Sequence, residues 1–208
     1  MTRYLILPLG GIGQRFIDAG YKTYKPFLKV SKNNTVIDKI VSNFPSKKTK
    51  VIIIGNEKKF QLIKSKLKKN ILFIKIKNHK YGPLYSIFLA NKELKRIIKN
   101  KKFFIVYSDI NWNWKFKNIN KFIKNKKAVV FTHKGYHPDL EINTQSDFCS
   151  INQNNYINKI SEKKLIFKDY RKNYLAIGCY YFHNYKLFEN FFEINKKSLK
   201  SRTKEYYL

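Results

Sequence analysis

Short runs of apolar, β-branched residues alternate with longer segments of helical period along most of this chain. That alternation limits the fold more than any other feature. Tyr4–Leu9, Val51–Ile54, Phe103–Tyr107, Ala128–Phe131 and Tyr174–Phe182 read as strands, the first three as continuous apolar runs of the kind buried strands show. Ile71–Lys77 alternates apolar and basic residues, as a half-exposed strand does. Between the strands, Thr35 is placed to cap a helix over Val36–Phe44, and Lys58–Lys69 spaces Phe60, Ile63 and Leu67 at helical intervals. Leu84–Ile98 sets Ile87, Phe88, Ala90, Leu94 and Ile98 on or near one helical face. Strands separated by helix-length segments predict an α/β chain, a three-layer αβα arrangement around a mostly parallel, mixed sheet. In such sheets ligands bind at the carboxyl ends of the strands. Thr132–Lys172 is more polar and less regular, and is expected to carry a hairpin or insertion over the site. With no internal repeat and no evident linker, residues 1–208 read as one domain.

A chain of 208 residues, 43% hydrophobic and 16% aromatic, is long and apolar enough to bury a core. It contains no apolar run of about 18 residues, the length a membrane-spanning helix requires. Met1 leads directly into the first strand, without the apolar segment and small-residue cleavage site of a secretion signal. Cys149 and Cys179 are too few and too isolated for a disulfide framework, so a cytoplasmic location is expected. The net charge of +31 raises the question of a polyanionic partner. Its source is overwhelmingly Lys; only Arg3, Arg15, Arg96, Arg171 and Arg202 are arginine. Lys travels here with Asn, Ile, Phe and Tyr, all encoded by AT-rich codons, and it is scattered over the chain. Genome composition therefore accounts for the charge better than nucleic-acid binding, which favours Arg. Anionic small molecules would still be drawn in.

The segment after the first strand has the most specific chemistry. In Leu7-Pro8-Leu9-Gly10-Gly11-Ile12-Gly13-Gln14-Arg15-Phe16, a strand delivers the chain to a turn whose glycines let backbone N–H groups approach phosphates. Arg15 adds a permanent, forked cation, and Lys25 stands beside Pro26 a few residues on. An ordinary strand-to-helix turn would also use glycine here. The segment is not a P-loop, because no Gly-Lys-Ser/Thr closes it, and Phe16 occupies the place of the third small residue of a dinucleotide fingerprint.

These residues resemble the signature of the sugar-phosphate nucleotidyltransferases: a Gly-rich loop, an Arg and a downstream Lys-Pro. Ala19-Gly20-Tyr21 before the Lys-Pro is similar to members linked to capsule and surface-polysaccharide synthesis. The resemblance implies a Rossmann-like, GT-A-like fold with an N-terminal Gly-rich phosphate loop. It implies that Leu9, Gly10, Gly11 and Gly13 bind the nucleotide, with Arg15 and Lys25 catalytic at the reacting phosphates. Gly82-Pro83-Leu84-Tyr85-Ser86 resembles the turn that contacts base and ribose, which implicates Gly82 and Ser86. Ser108-Asp109 ends a strand where the family places the Asp that holds catalytic Mg2+, so Asp109 is both the catalytic and the metal candidate. Ile160-Ser161-Glu162-Lys163-Lys164 and Ile177-Gly178-Cys179 resemble the acceptor-binding segments, implicating Glu162, Lys163 and Gly178. The implied partners are a nucleoside triphosphate and a phosphorylated small molecule; no membrane partner is expected, and nucleic acid is disfavoured by the scattered lysines and scarce arginine.

Plainer readings stand beside these. Asp109 also suits an Asx-turn, and Glu162-Lys163 also suits a solvated charge pair. His79, His133, His137 and His183 share no metal-ligand spacing and read as surface or structural residues. Trp112 and Trp114 alternate as one packed face of an extended segment would, or shape an acceptor pocket. Lys204-Glu205-Tyr206-Tyr207-Leu208 is similar to the start of a stretch after which the family supplies a second metal carboxylate, so the domain is expected to be shortened at its C-terminus. Two other functions compete. A nucleotide-sugar glycosyltransferase would need an Asp-x-Asp motif, of which Asp109-Ile110-Asn111 is a degraded version. A non-catalytic, basic nucleic-acid-binding protein on the same fold would account for the total charge.

Overall fold

The computed structural model describes residues 2–64, 71–108, 112–137, 146–201 and 208, which divide into two compact units. The first comprises Met1–Val129 and Tyr180–Leu208; the second is the continuous segment Val130–Cys179. In the first unit, β1 (Arg3–Pro8), β4 (Thr49–Gly55), β5 (Ile71–Lys75) and β6 (Phe103–Val106) follow the order β5-β4-β1-β6, and β10 (Tyr174–Phe182) comes next. The pairs β1 with β4, β1 with β6, and β4 with β5 are parallel, so these four strands end on one edge. Leu5, Ile6 and Leu7, Ile52–Ile54 and Phe103–Val106 are all buried, which is why these strands read as unbroken apolar runs. The small hairpin β2 (Lys29–Ser31) with β3 (Asn34–Thr35) stands apart from this sheet.

Neighbouring side chains on one strand show that helices cover both faces of this sheet. Phe103 packs on Tyr185 and Phe188 of α7 (Tyr185–Ser201), at ring distances of 5.9 and 5.8 Å. Phe104 points the opposite way, to Phe44 at 5.1 Å and to Phe116 at 6.0 Å. Phe44 closely follows α2 (Val36–Ser42), and Phe116 opens α6 (Phe116–Phe122). The predicted αβα layering is therefore present, as is the mixed sheet.

Helix α2 begins where Thr35 predicted. The Asp38 N–H donates to Thr35 Oγ1 and the Thr35 N–H donates back to Asp38 Oδ2 at 2.8 Å, a reciprocal capping box. Two short helices flank this region: α1 (Gln14–Asp18) and α3 (Glu57–Lys64). The last residues of the helix predicted over Lys58–Lys69 lie outside the described residues. The single helix predicted over Leu84–Ile98 is instead two, α4 (Gly82–Leu89) and α5 (Asn91–Ile98), meeting at Ala90. Burial explains the break: four consecutive residues of α4, Leu84–Ile87, are buried, whereas α5 buries only Leu94 and Ile98. A bend lets an embedded segment continue as a surface one.

The second unit holds an antiparallel hairpin, β8 (Phe148–Ile151) with β9 (Ile157–Ser161), joined to β10 through β8. β7 (Ala128–Lys134) runs into this unit and also pairs with β10. A hairpin thus forms inside the predicted irregular region. Beyond it, buried Asn173 holds a loop together: its Oδ1 accepts from the Ile166 and Phe167 N–H groups, and its Nδ2 donates to the Phe167 and Asp169 carbonyls. Both cysteines are buried; burial, then the nearby Asp147 carboxylate, push the Cys149 thiol up to about 11, and burial raises Cys179 as well. No helix among the described residues is long and apolar enough to cross a membrane.

Replacing Thr35 with Ala is expected to cost about 1 kcal/mol of stability, read as a fall of about 2–4 °C in melting temperature for a chain of this size. Thiolate character governs thiol reactivity. Both cysteines should therefore resist a thiol reagent in the native protein near neutral pH and react fully once it is unfolded in urea.

Candidate nucleotide site

The edge formed by the carboxyl ends of β1, β4, β5 and β6 carries Leu9 and the glycine turn, with Ser86 packed against Gly10. β1 leads into Leu9, whose N–H donates to the Ile54 carbonyl at 2.7 Å and so prolongs the pairing with β4. Gly10 is buried, and a Cβ there would lie 2.5 Å from Ile76 Cδ1, 2.5 Å from Ser86 Oγ and 2.7 Å from His79 Nε2. Only glycine fits without displacing these groups. Gly11 is exposed and forms an isolated parallel bridge with His79. Gly13 takes φ +75°, a left-handed conformation, and its carbonyl accepts the N–H groups of Phe16 and Ile17 as α1 begins. The turn thus leaves the sheet, presents an exposed glycine and enters a helix within five residues.

Arg15 lies in α1, and its side chain is outside the described residues. Lys25 follows after a second left-handed glycine, Gly20, in a short 3-10 turn, Lys25–Phe27, anchored by buried Pro26 and Phe27. The Lys25 ammonium rests 5.3 Å from the centre of the Phe16 ring, and Phe16 in turn meets Tyr21 at 5.5 Å. A cation–π contact of this kind holds the lysine against the helix that carries Arg15. The aromatic seat of Lys25 is a product of the fold, set by the turn that brings Phe16 beneath it.

The segment after β5 joins the turn. Ile76 N–H donates to the Gly55 carbonyl at 2.8 Å, and the Asn56 and Asn78 side chains are hydrogen-bonded. Helix α4 opens at Gly82, φ +78°, followed by Pro83, which has no N–H to leave unpaired in the first turn. Ser86 is fully buried, with its hydroxyl 2.9 Å from His79 Nε2. Gly10, Gly11, His79 and Ser86 thus form one contact set, which unites the two segments that the sequence treated separately.

β6 runs out through Tyr107 and Ser108 at the same edge; Asp109 lies outside the described residues, as does the segment 202–207. Leu208 N–H donates to the Tyr107 hydroxyl at 2.8 Å, bringing the residue after that late segment to the end of β6. Trp114 donates its indole N–H to the Asn43 carbonyl, and Asn43 donates to the Trp112 carbonyl. The rings of Trp112 and Trp114 lie 5.3 Å apart, so the packed face expected of this alternation is present. Among the described residues no group of three or more His, Cys, Asp or Glu is arranged to hold a metal ion.

The acceptor candidates belong to the second unit. Glu162 and Lys163 follow β9 and are exposed, with Lys163 at φ +53°. The Asp147 carboxylate accepts the Lys163 N–H, which supports that unusual backbone, and burial and then the nearby Glu162 charge raise its pKa. No sequence motif surrounds Asp147, so only the fold reveals its place beside Lys163. Gly178 is buried within β10 at φ +62°.

A mixed sheet with covered faces, parallel through β1, β4, β5 and β6, and a Gly-rich turn at the end of its central strand define an α/β architecture whose ligands bind at the carboxyl ends of the strands. The sequence profile described as nucleotidyl transferase matches residues 4–207, and the chain belongs to that family. Solved structures share the fold. One is a nucleoside-diphosphate-sugar pyrophosphorylase from Vibrio cholerae RC9, 16% identical over 91% of this chain and 78% of its own, with a TM-score of 0.69. Another is the inositol-1-phosphate CTP transferase from T. maritima, 17% identical over 99% and 77%, TM-score 0.68. A candidate glucose-1-phosphate thymidylyltransferase from Bacillus anthracis is 20% identical over 100% and 86%, TM-score 0.69. A search of the curated proteins finds no match.

The packing around the turn separates its glycines by role. Gly10→Ala should destabilise the protein by about 1–3 kcal/mol, the usual cost of overpacking. Gly11→Ala, where a Cβ meets nothing within 4 Å, should leave the melting temperature unchanged. Thermal unfolding of the two variants side by side checks this.

Proposed function

We propose that the protein transfers a nucleoside monophosphate from a nucleoside triphosphate to a phosphorylated small molecule, with a sugar 1-phosphate as the first candidate acceptor. The observation that carries this reading is the Gly10–Gly13 turn at the carboxyl end of central β1, in a chain of the nucleotidyl transferase family. The names of the structural neighbours, a nucleotide-sugar pyrophosphorylase and transferases to inositol and glucose 1-phosphates, support the acceptor class.

In the reaction, an ionised phosphate oxygen of the acceptor attacks the α-phosphorus. The bond from that phosphorus to the bridging oxygen breaks, and pyrophosphate leaves with the electron pair. A phosphate nucleophile is already deprotonated near neutral pH, so no general base is required. Positioning and charge neutralisation supply the catalysis. Backbone N–H groups at Gly10, Gly11 and Gly13 bind the phosphates, Arg15 and Lys25 neutralise them, and Leu9 and Gly82 frame the nucleoside, with fully buried Ser86 supporting that frame from behind. Glu162, Lys163 and Gly178 receive the acceptor. The Asp109 carboxylate together with the nucleotide's own oxygens would suit the hard, oxygen-seeking Mg2+, which when bound neutralises triphosphate charge. A cytoplasmic role in making surface-polysaccharide precursors fits this chemistry.

The test is pyrophosphate release from Mg2+, each of the four common NTPs or dTTP, and a panel of phosphorylated acceptors. Release is expected only with an acceptor present, to stop on chelation of Mg2+, and to fall about 100-fold or more in Arg15→Ala. Silence with every pair, alongside tight and salt-sensitive binding of RNA or DNA, would favour the nucleic-acid reading instead.

A further inference from the structure

We infer that His79 and Ser86 form a positioning pair that locks the Gly10–Gly11 turn to the start of α4, and so fixes the phosphate-binding and nucleoside-binding halves of the site at one spacing. This inference rests on the nucleotide reading above and adds to it a residue that no motif marks.

His79 is 6% exposed and Ser86 is 0% exposed. Burying an imidazole is unfavourable unless both ring nitrogens find partners. Both do here. The Tyr81 N–H donates to Nδ1 at 3.3 Å, and Nε2 lies 2.9 Å from Ser86 Oγ. Because Nδ1 accepts, Nε2 carries the proton and donates to the serine, which selects one neutral tautomer. Around the ring, Tyr81 stacks at 6.4 Å with planes 7° apart, and Tyr85 meets it edge-on at 4.9 Å. The imidazole therefore has one orientation and one hydrogen-bonding pattern.

The contact set then couples this pair to the glycine turn in two independent ways. The His79 backbone pairs with Gly11, and the His79 and Ser86 side chains crowd the face of Gly10 that a Cβ would occupy. A shift of the serine or of the ring moves the turn with it. A core that needed only volume here would be filled by an apolar ring and an alanine. A buried polar pair instead specifies one arrangement, because misaligned alternatives leave a donor or acceptor without a partner. Ser86 thus acts on the nucleotide through the turn it holds, as a positioning residue.

The experiment compares Ser86→Ala, His79→Phe, their double variant and His79→Gln. Binding of each of the four NTPs and dTTP, with Mg2+, is measured by calorimetry, and the acceptor KM by pyrophosphate release. Phe keeps the ring without the hydrogen bonds; Gln restores a donor near Nε2. Ser86→Ala removes one oxygen and places the best helix former within α4, so it keeps the fold even if His79→Phe does not. With the nucleotide that wild type binds, Kd is expected to rise about tenfold in each single variant, the scale of one lost buried hydrogen bond. The double variant should be no worse than either single, as for groups acting as a unit. His79→Gln should recover to within about threefold of wild type, and the acceptor KM should not move. Wild-type Kd values in variants that merely melt at lower temperature would overturn the assignment, as would single losses that multiply in the double variant. If wild type binds none of the five nucleotides, the functional reading fails first, and this inference with it.

Discussion

Parallel pairing on both edges of β1 is the constraint on which the rest of the structure depends. Its residues Leu5, Ile6 and Leu7 are shut off from solvent, and its ladders to β4 and β6 satisfy backbone groups that water cannot reach. A strand in that position delivers whatever follows it to a fixed point on the sheet edge. Leu9 extends the pairing by one more hydrogen bond, so the turn starts from a rigid support. The backbone part of the proposed phosphate site then follows from local conformation: a glycine with no room for a side chain, an exposed glycine, and a left-handed one before the helix.

The two-sided aromatic packing has the same origin. Phe103 and Phe104 are neighbours in sequence and opposites in space, one committed to α7 and the other to Phe44 and Phe116. The sheet is thereby clamped between rings, which fixes its strand ends. Lys25 illustrates how far such packing reaches. Its ammonium is held on Phe16, and its backbone on buried Pro26 and Phe27. A flexible side chain is thus placed by the packing of its neighbours.

The strands of the first unit were legible because burial on both faces leaves a continuous apolar run, and β10 was read to its ends. Thr35 announced α2 because a capping box is written in two residues three apart. The hairpin β2–β3, helices α1, α6 and α7, and strands β8 and β9 were not read individually. Their stability comes from partners distant in sequence; β9, for example, is almost wholly exposed and shows no apolar face. At the candidate site, the turn conformation of Gly10–Gly13 was legible from its glycines, and Lys25 was singled out by its place beside Pro26. His79 and Asp147 were not, because an isolated histidine or aspartate gains its meaning only from what the fold sets beside it. Ser86 was named from the resemblance, but its buried bond to His79 belongs to tertiary structure alone.

The second unit is continuous in sequence and is entered through β7 and left through β10, which pair with each other. That connectivity makes the intervening segment a cassette. Its two ends are held at fixed separation by a ladder, so lengthening or exchanging what lies between them adds loop-closure entropy that grows only with the logarithm of length. The ladders of β1, β4, β5 and β6 are untouched by such a change. Chains built this way are free to vary the segment that bears Glu162 and Lys163 while the glycine turn stays fixed, and Gly178, in a conformation few other residues adopt, marks where that freedom ends.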